Sequence, residues 1–561
     1  MKMQYQAVKR SLKLPKAGKW LSRDSSDDFF PDALNFSDIV DNLDEYLSQR
    51  ERRLFQLDTL PQIVDFVPKS SGMIREAVWL HPTHRILYLG ALHYLLPKLD
   101  HHLPPEVYSY RKDSQDNDSY PFTKTMDRWK RFHNDFRHAC LDEGTNAILV
   151  TDIASYYDHI NVDKLCFRIR AMLGDAASSE DIDIVNFLCS LLKQWSSDGF
   201  GIPQNLDASG FLGSLFLSGV DKEMLDKRYR YFRWVDDIKI CASNKKQAFR
   251  ALHDLQKALA RYRMFLASDK TTIMEKDSEE FDELVDVADD SHISKLEKIV
   301  ARGSKEEIDK ELPFAQTKLE HHAGKRGDDR KFRAYANRLL QLSEYDEYRD
   351  EIYRHLGPLV AKRLESHPQK SDYWTKILQE FPPEYWQDKV EELLRTNPSV
   401  FNWQRFFLWK LLTAREHISE ELISRARSTI NNPVSDLEAY QAIICIGRHG
   451  NNQEREGLFV QYFNSQKSYP IQRAILISIQ EMEKASRNRL YEEALKKCPE
   501  HTQLVKYLQS LEAPKYGIKF RTRRQLPEQP RELPHEILCG VGKVNGKTIR
   551  YRLSRNDFYY E

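Results

Sequence analysis

The chain has 561 residues, 41% apolar and 30% charged, with 85 basic against 84 acidic side chains and a net charge of +1. That composition is ordinary for a soluble globular protein, and the length allows roughly three or four domains. The charge balance also means that any affinity for nucleic acid must come from a local groove and not from a global field.

The first twenty residues carry six cations and no apolar core, so they do not read as a secretory signal, and no apolar run approaches the ~20 residues of a spanning helix. A cytoplasmic protein with no membrane segment is expected. Lys2, Lys9, Arg10, Lys13, Lys16 and Lys19 form one basic arm; Lys515, Lys519, Arg521, Arg523 and Arg524, interleaved with Tyr516 and Phe520, form a second. Each reads either as a solvated, flexible terminus or as a nucleic-acid contact, the aromatics tilting the second toward base stacking. From about residue 25 to 275, strand-like runs alternate with helical stretches, the texture of an α+β region, and 111–120 reads as a surface loop. Residues 276–292 read as an acidic linker. Beyond them the period is helical, broken at Gly357-Pro358, Pro382-Pro383, Pro398, Asn431-Asn432-Pro433, Gly450-Asn451-Asn452, Pro470 and Pro499. Apolar clusters such as Phe406, Phe407, Trp409, Leu411 and Leu412 suit either stacked helical hairpins or an irregular bundle. The expected organisation is a basic, helical extension over 1–54, a catalytic region over 55–275, the linker, a helical domain over 293–512 and a basic tail over 513–561. Seven scattered cysteines without a C-x-x-C read as reduced structural thiols. His101-His102 and His321-His322 lack partners at ligand spacing and read as exposed polar pairs.

The most informative segment is Trp234-Val235-Asp236-Asp237-Ile238-Lys239, which sets two adjacent carboxylates inside the apolar run 231–242, where a strand hairpin would expose them. Acids in such a setting require a neutralising cation. Three other double aspartates, Asp27-Asp28, Asp289-Asp290 and Asp328-Asp329, lie in polar stretches and read as solvated loop. A third carboxylate closes the β-prone run Ala147-Ile148-Leu149-Val150-Thr151-Asp152. Hard oxygen ligands from separate strands suit magnesium, which keeps positions for water and phosphate.

In order, these segments resemble the motifs of reverse transcriptases. Thr151-Asp152-Ile153-Ala154-Ser155-Tyr156-Tyr157-Asp158-His159-Ile160 is similar to the first metal motif, with one spacer residue more. Gly201-Ile202-Pro203-Gln204 with Ala208-Ser209-Gly210-Phe211-Leu212 resembles the next, Trp234-Val235-Asp236-Asp237 matches the [YF]-x-D-D signature, and Leu266 through Lys270-Thr271 resembles L-N-x-x-K-T. Upstream, Val67-Pro68-Lys69, Arg75, His81-Pro82, Arg85 and Tyr108-Ser109-Tyr110-Arg111 resemble the fingers motifs. Asn205 stands where glycine is usual, Trp234 for Tyr or Phe, and Ala267 where Asn is common. These departures point toward the divergent bacterial enzymes of the abortive-infection and unknown-group class, in which a helical array follows the palm.

The resemblance implies an α+β right-hand polymerase palm and fingers followed by an all-α, HEAT-like helical-repeat domain. It implies a DNA polymerase, RNA-templated or template-independent, acting in bacterial antiphage defence as a homo-oligomer on dNTPs, with an RNA template or non-coding RNA and a single-stranded DNA product. Asp152, Asp236 and Asp237, with the carbonyl of Ile153, would hold two Mg2+ ions, Mn2+ being the alternative. Lys69 and Arg75 would grip the triphosphate, Tyr157 would exclude a 2′-hydroxyl, Gln204 would contact the incoming nucleotide and Lys270 would protonate the leaving group. The tail Phe558-Tyr559-Tyr560 is one candidate for a priming hydroxyl. Two alternatives stay open: a palm that makes RNA, and a vestigial palm whose helical array binds protein or oligomerises.

Overall fold

The computed structural model describes residues 5–531 except 6, 52–59, 61, 70, 115–119, 277, 286–287, 325–328, 396–400, 432 and 465–466, together with a hairpin at 542–544 and 547–549. The chain divides into two compact units, residues 1–64 with 76–286, and residues 65–75 with 287–561.

The first unit is built around a four-stranded antiparallel sheet in the order β4-β5-β3-β6, with β3 Ala147–Asp152, β4 Arg230–Trp234, β5 Asp237–Ala242 and β6 Thr272–Glu275. The β-branched and aliphatic residues of β3 make it the central strand, flanked by β5 and β6 and buried on both faces. On one face, Ile148 and Cys241 pack on Phe136, Ala139 and Cys140 of helix α3 (Thr125–Leu141). On the other, Ala147 and Ala242 meet Ala248 of helix α7 (Lys245–Ala260).

Helix α2 (Pro82–Leu99) is buried around almost its whole circumference, and its start is fixed by Pro82 in the first turn and by His81, whose Nδ1 accepts the Thr83 N–H at 3.1 Å. Helix α6 (Asp207–Asp226) is equally enclosed, as expected of a helix apolar on every side. Gly210 and Gly213 make that possible. A Cβ at Gly210 would lie 2.2 Å from the Tyr110 ring, and one at Gly213 would lie 2.8 Å from the Tyr156 hydroxyl.

Several expectations are corrected here. The N-terminal segment is no flexible arm: Tyr5, Val8 and Leu12 are buried, and helix α1 (Leu14–Ser26) packs on α2 through Leu14, Ala17, Trp20 and Leu21. Its cations alternate with apolar residues at helical spacing, which sequence reading missed. Asp28 is not solvated, because Arg85 of α2 is fully buried and binds both Asp24 (2.6 Å) and Asp28. Cys166 on α4 (Val162–Leu173) and Cys189 on α5 (Ser179–Trp195) form a disulfide, since these helices lie side by side and bring the two Cα atoms to 6.0 Å. Cys140, Cys241, Cys445 and Cys498 are free and buried, in line with expectation.

The segment read as a linker carries the chain from the first unit into the second and is largely helical, with Asp289-Asp290 inside the helix Ala288–Arg302. The helix Asp346–Ser366 runs straight through Gly357-Pro358, where the missing Cβ admits Tyr385 to within 2.9 Å of its ideal position. Further on, α8 (Ser371–Leu378), α9 (Asn402–Thr413), α11 (Asp436–His449), α13 (Tyr469–Ser478) and α14 (Thr502–Ser510) stack each on the next, while α10 (Glu420–Asn431) and α12 (Asn452–Tyr462) flank the row. The predicted cluster Phe406, Phe407, Trp409, Leu411 and Leu412 lies in its core, together with Ile443, Ile444, Ile446, Ile475, Leu476 and Ile479. His322 is buried and stacked on Tyr335, not exposed.

The basic tail is used internally. Lys515 exchanges hydrogen bonds with the Gln480 side chain, buried Tyr516 donates to the Gly447 carbonyl at 3.1 Å, and Arg521 and Arg524 both bind Glu344, at 3.0 and 3.1 Å. This replaces the base-stacking reading of Tyr516. The candidate priming tail 558–560 lies outside the described residues. Among the described residues no helix is long and apolar enough to cross a membrane.

Candidate active site

Strands β4 and β5 are joined by the two-residue turn Val235-Asp236, so Trp234 and Asp237 face each other in the last rung of the hairpin. On its other side β5 pairs with β3, and there Asp237 stands directly opposite Asp152. Opposed residues of an antiparallel pair point to one face, so the two carboxylates share a side of the sheet. Asp236 closes the group from the turn, where its carbonyl accepts the Ile153 N–H at 3.2 Å. Asp152 and the adjacent pair Asp236-Asp237, more than eighty residues further along the chain, thus meet at one end of the sheet.

The electrostatics reflect that crowding. Burial and the neighbouring Asp236 charge push the Asp152 carboxyl up to about 8, against the partial relief of Lys270, whose Nζ lies 3.6 Å from Oδ2. Burial also raises Asp237, opposed by Lys239 and Lys270. Lys239 was not singled out from sequence. It is buried in β5 with its ammonium 3.8 Å from Asp237 and 4.9 Å from the ring centres of both Phe132 and Phe136. Its only signal was a cation in an apolar strand.

The structure brings Lys270 to the acids, and it holds the preceding loop there through the Ala267 N–H, which donates to the Asp152 carbonyl at 2.8 Å. Because that contact is made by backbone, alanine serves in place of asparagine. Tyr157 begins a single 3-10 turn five residues past Asp152, half-buried, with its ring 5.0 Å from that of Tyr156. Its carbonyl accepts the Ile202 N–H at 3.2 Å, so the Gly201 to Gln204 loop seats on this turn. Gln204 donates its side-chain amide to Asp158. Asn205 has a φ of 60°, a left-handed conformation that asparagine tolerates better than most residues, so the backbone shape that glycine would give is kept. Lys69 and Arg75 are not brought into this unit: both belong to the hairpin β1 (Gln62–Pro68) and β2 (Ile74–Leu80), whose residues 65–75 group with the helical unit.

The residues around the turn were also missed. Arg233, wholly buried, binds Asp221 of α6 through two bonds of 2.7 Å and donates through Nη1 to the Val235 carbonyl at 2.8 Å. Buried Ser109 accepts the Val235 N–H at 3.0 Å. Sequence reasoning placed Ser109 in a fingers motif without a role, and nothing local linked Arg233 to an acid twelve residues earlier.

The donor set fits magnesium: it is all oxygen, without thiolate or imidazole, and the raised Asp152 carboxyl marks negative charge that a cation would relieve. Among the described residues there is no group of three or more His, Cys, Asp and Glu side chains that could hold a metal ion as they stand.

Residues 87–297 match the family model described as reverse transcriptase (RNA-dependent DNA polymerase). The chain carries a reverse transcriptase domain, and it is accordingly a nucleotidyltransferase of the RNA-directed DNA polymerase type. No curated protein matches it significantly. Similar solved structures include telomerase from Candida albicans in complex with a TWJ fragment of telomeric RNA, at 10% identity over 84% of this chain and 68% of that one, with a TM-score of 0.30. Apo telomerase from Candida tropicalis is similar at 12% identity over 84% of this chain and 75% of that one, also with a TM-score of 0.30.

Proposed function

We propose that this chain is a DNA polymerase that joins deoxynucleoside triphosphates, on an RNA template or without one, and acts in the cytoplasm in bacterial antiphage defence. The observation that carries the chemistry is the meeting of Asp152, Asp236 and Asp237 at one end of the sheet, with Asp152 pushed up to about 8. These carboxylates and the Ile153 carbonyl would hold two magnesium ions, which when bound activate the attacking hydroxyl and neutralise the departing pyrophosphate. Lys270, beside Asp152 and open to solvent, delivers a proton to the leaving group. Tyr157 excludes a 2′-hydroxyl and Gln204 orients the nucleotide. The stacked helices form a HEAT-like array that assembles subunits and holds the single-stranded product. A vestigial palm has no use for a buried acid held so far from its ordinary range.

The test is incorporation of labelled dNTPs with magnesium by purified protein. Asp236→Ala with Asp237→Ala abolishes it while the protein still melts cooperatively; retained incorporation refutes the site. Absence of incorporation by the unaltered chain across metals, primers and templates refutes the polymerase reading.

A further inference from the structure

We propose that Ser109 and Arg233 are positioning residues for Asp236, clamping the turn before it in a conformation that Val235 would not adopt unaided. The inference rests on the polymerase reading of the acids. Val235 has a φ of 54°, whereas Asp236 is not left-handed. That is the pattern of a two-residue hairpin turn whose first position normally takes glycine. Among the described non-glycine residues with positive φ, Val235 alone is β-branched. A branched side chain there is strained, and strain of this kind persists only where the surroundings over-determine it.

The surroundings do so through both peptide groups of Val235. Its N–H donates to Ser109 Oγ at 3.0 Å, and its carbonyl accepts from Arg233 Nη1 at 2.8 Å. Neither partner is free to follow a turn that flips. Arg233 is fixed by Asp221 through two bonds of 2.7 Å, with no solvent exposure of either side chain, and it also reaches the Ser214 carbonyl at 3.3 Å. Ser109 is delivered by a segment that runs beside β4: the Arg233 N–H donates to the Glu106 carbonyl at 2.9 Å and the Tyr108 N–H to the Arg233 carbonyl at 3.1 Å. A relaxed turn would break two buried hydrogen bonds and shift Asp236, whose own carbonyl is tied to Ile153.

Ser109→Ala is the mild test, since it removes one oxygen and leaves the Arg233–Asp221 pair intact. The expected result is about a tenfold fall in kcat with KM for dNTP within about twofold, the signature of a mispositioned group and not of lost substrate binding. Hydrogen exchange rises over the β4–β5 turn and nowhere else. Adding Val235→Gly, which tolerates positive φ without the clamp, restores most of the lost rate. Wild-type kcat with unchanged exchange in Ser109→Ala overturns the proposal. So does a double variant no faster than Ser109→Ala, because a general packing defect would not be rescued at residue 235. If the unaltered chain polymerises nothing, the polymerase reading fails, and exchange at the turn still decides whether the clamp exists.

Discussion

Asp152 makes metal binding a proton-coupled event. Its carboxyl is pushed from 3.8 to about 8 by burial and by Asp236. Each unit of such a rise corresponds to about 1.4 kcal/mol between the two protonation states. The folded, metal-free protein therefore holds a proton that the unfolded chain has already released. This contribution to stability is fully present below about pH 4 and is lost as the pH climbs toward about 8, so the metal-free melting temperature falls across that window. A divalent ion must displace the proton, and its apparent affinity falls about tenfold per pH unit below pH 8, or about a hundredfold at pH 6, from this group alone. Calorimetric titration with Mn2+ in buffers of different ionisation enthalpy measures both quantities. The expected result is close to one proton released per protein near pH 6 and almost none above about pH 9. An affinity flat across this range, with no proton released, would refute the electrostatic account of the site.

Tyr157→Ala should admit ribonucleotides: the ratio of kcat/KM for dNTP over rNTP falls by about tenfold or more if the ring guards the sugar, and stays put if it is only a packing residue. Gly210→Ala should lower stability by about 1–3 kcal/mol in denaturant titration, because the new methyl must displace the Tyr110 ring from inside α6. A loss below about 0.5 kcal/mol would mean that Tyr110 moves aside freely.

The acids were legible because their signal is local. A carboxylate at the end of a β-prone run, and a pair inside another, conflict with burial unless chemistry requires them, and no long-range knowledge is needed to see the conflict. The hairpin, the central strand and the apolar faces of the later helices follow from the same short periods. What escaped notice depends on pairing across the chain. Arg85 has the surface look of any helical arginine until Asp24 of α1 and Asp28, just beyond that helix, meet it. The Cys166–Cys189 bond exists because two helices lie side by side, which their spacing does not announce. Gly357-Pro358 looked like a break because proline usually ends a helix, yet the helix continues through it, and the glycine there makes room for Tyr385.

The two lysines at the acids show why a residue's type did not reveal its part. Lys239 and Lys270 are both cations within 4 Å of a carboxylate oxygen, at 3.8 and 3.6 Å, yet their surroundings make them unlike. Lys239 is enclosed by Phe132 and Phe136 and cannot leave, so Asp237 keeps a permanent counter-charge from the buried side of the sheet. Lys270 has 42% of its side chain exposed and a flexible stem, so it can withdraw from Asp152 at little cost when another cation arrives. Of the two acids, then, Asp152 retains the larger demand for positive charge, and its strongest like-charge neighbour is Asp236, in the turn. The demand for an ion thus falls between β3 and the turn, so the placement of Asp236 governs how well that ion is held.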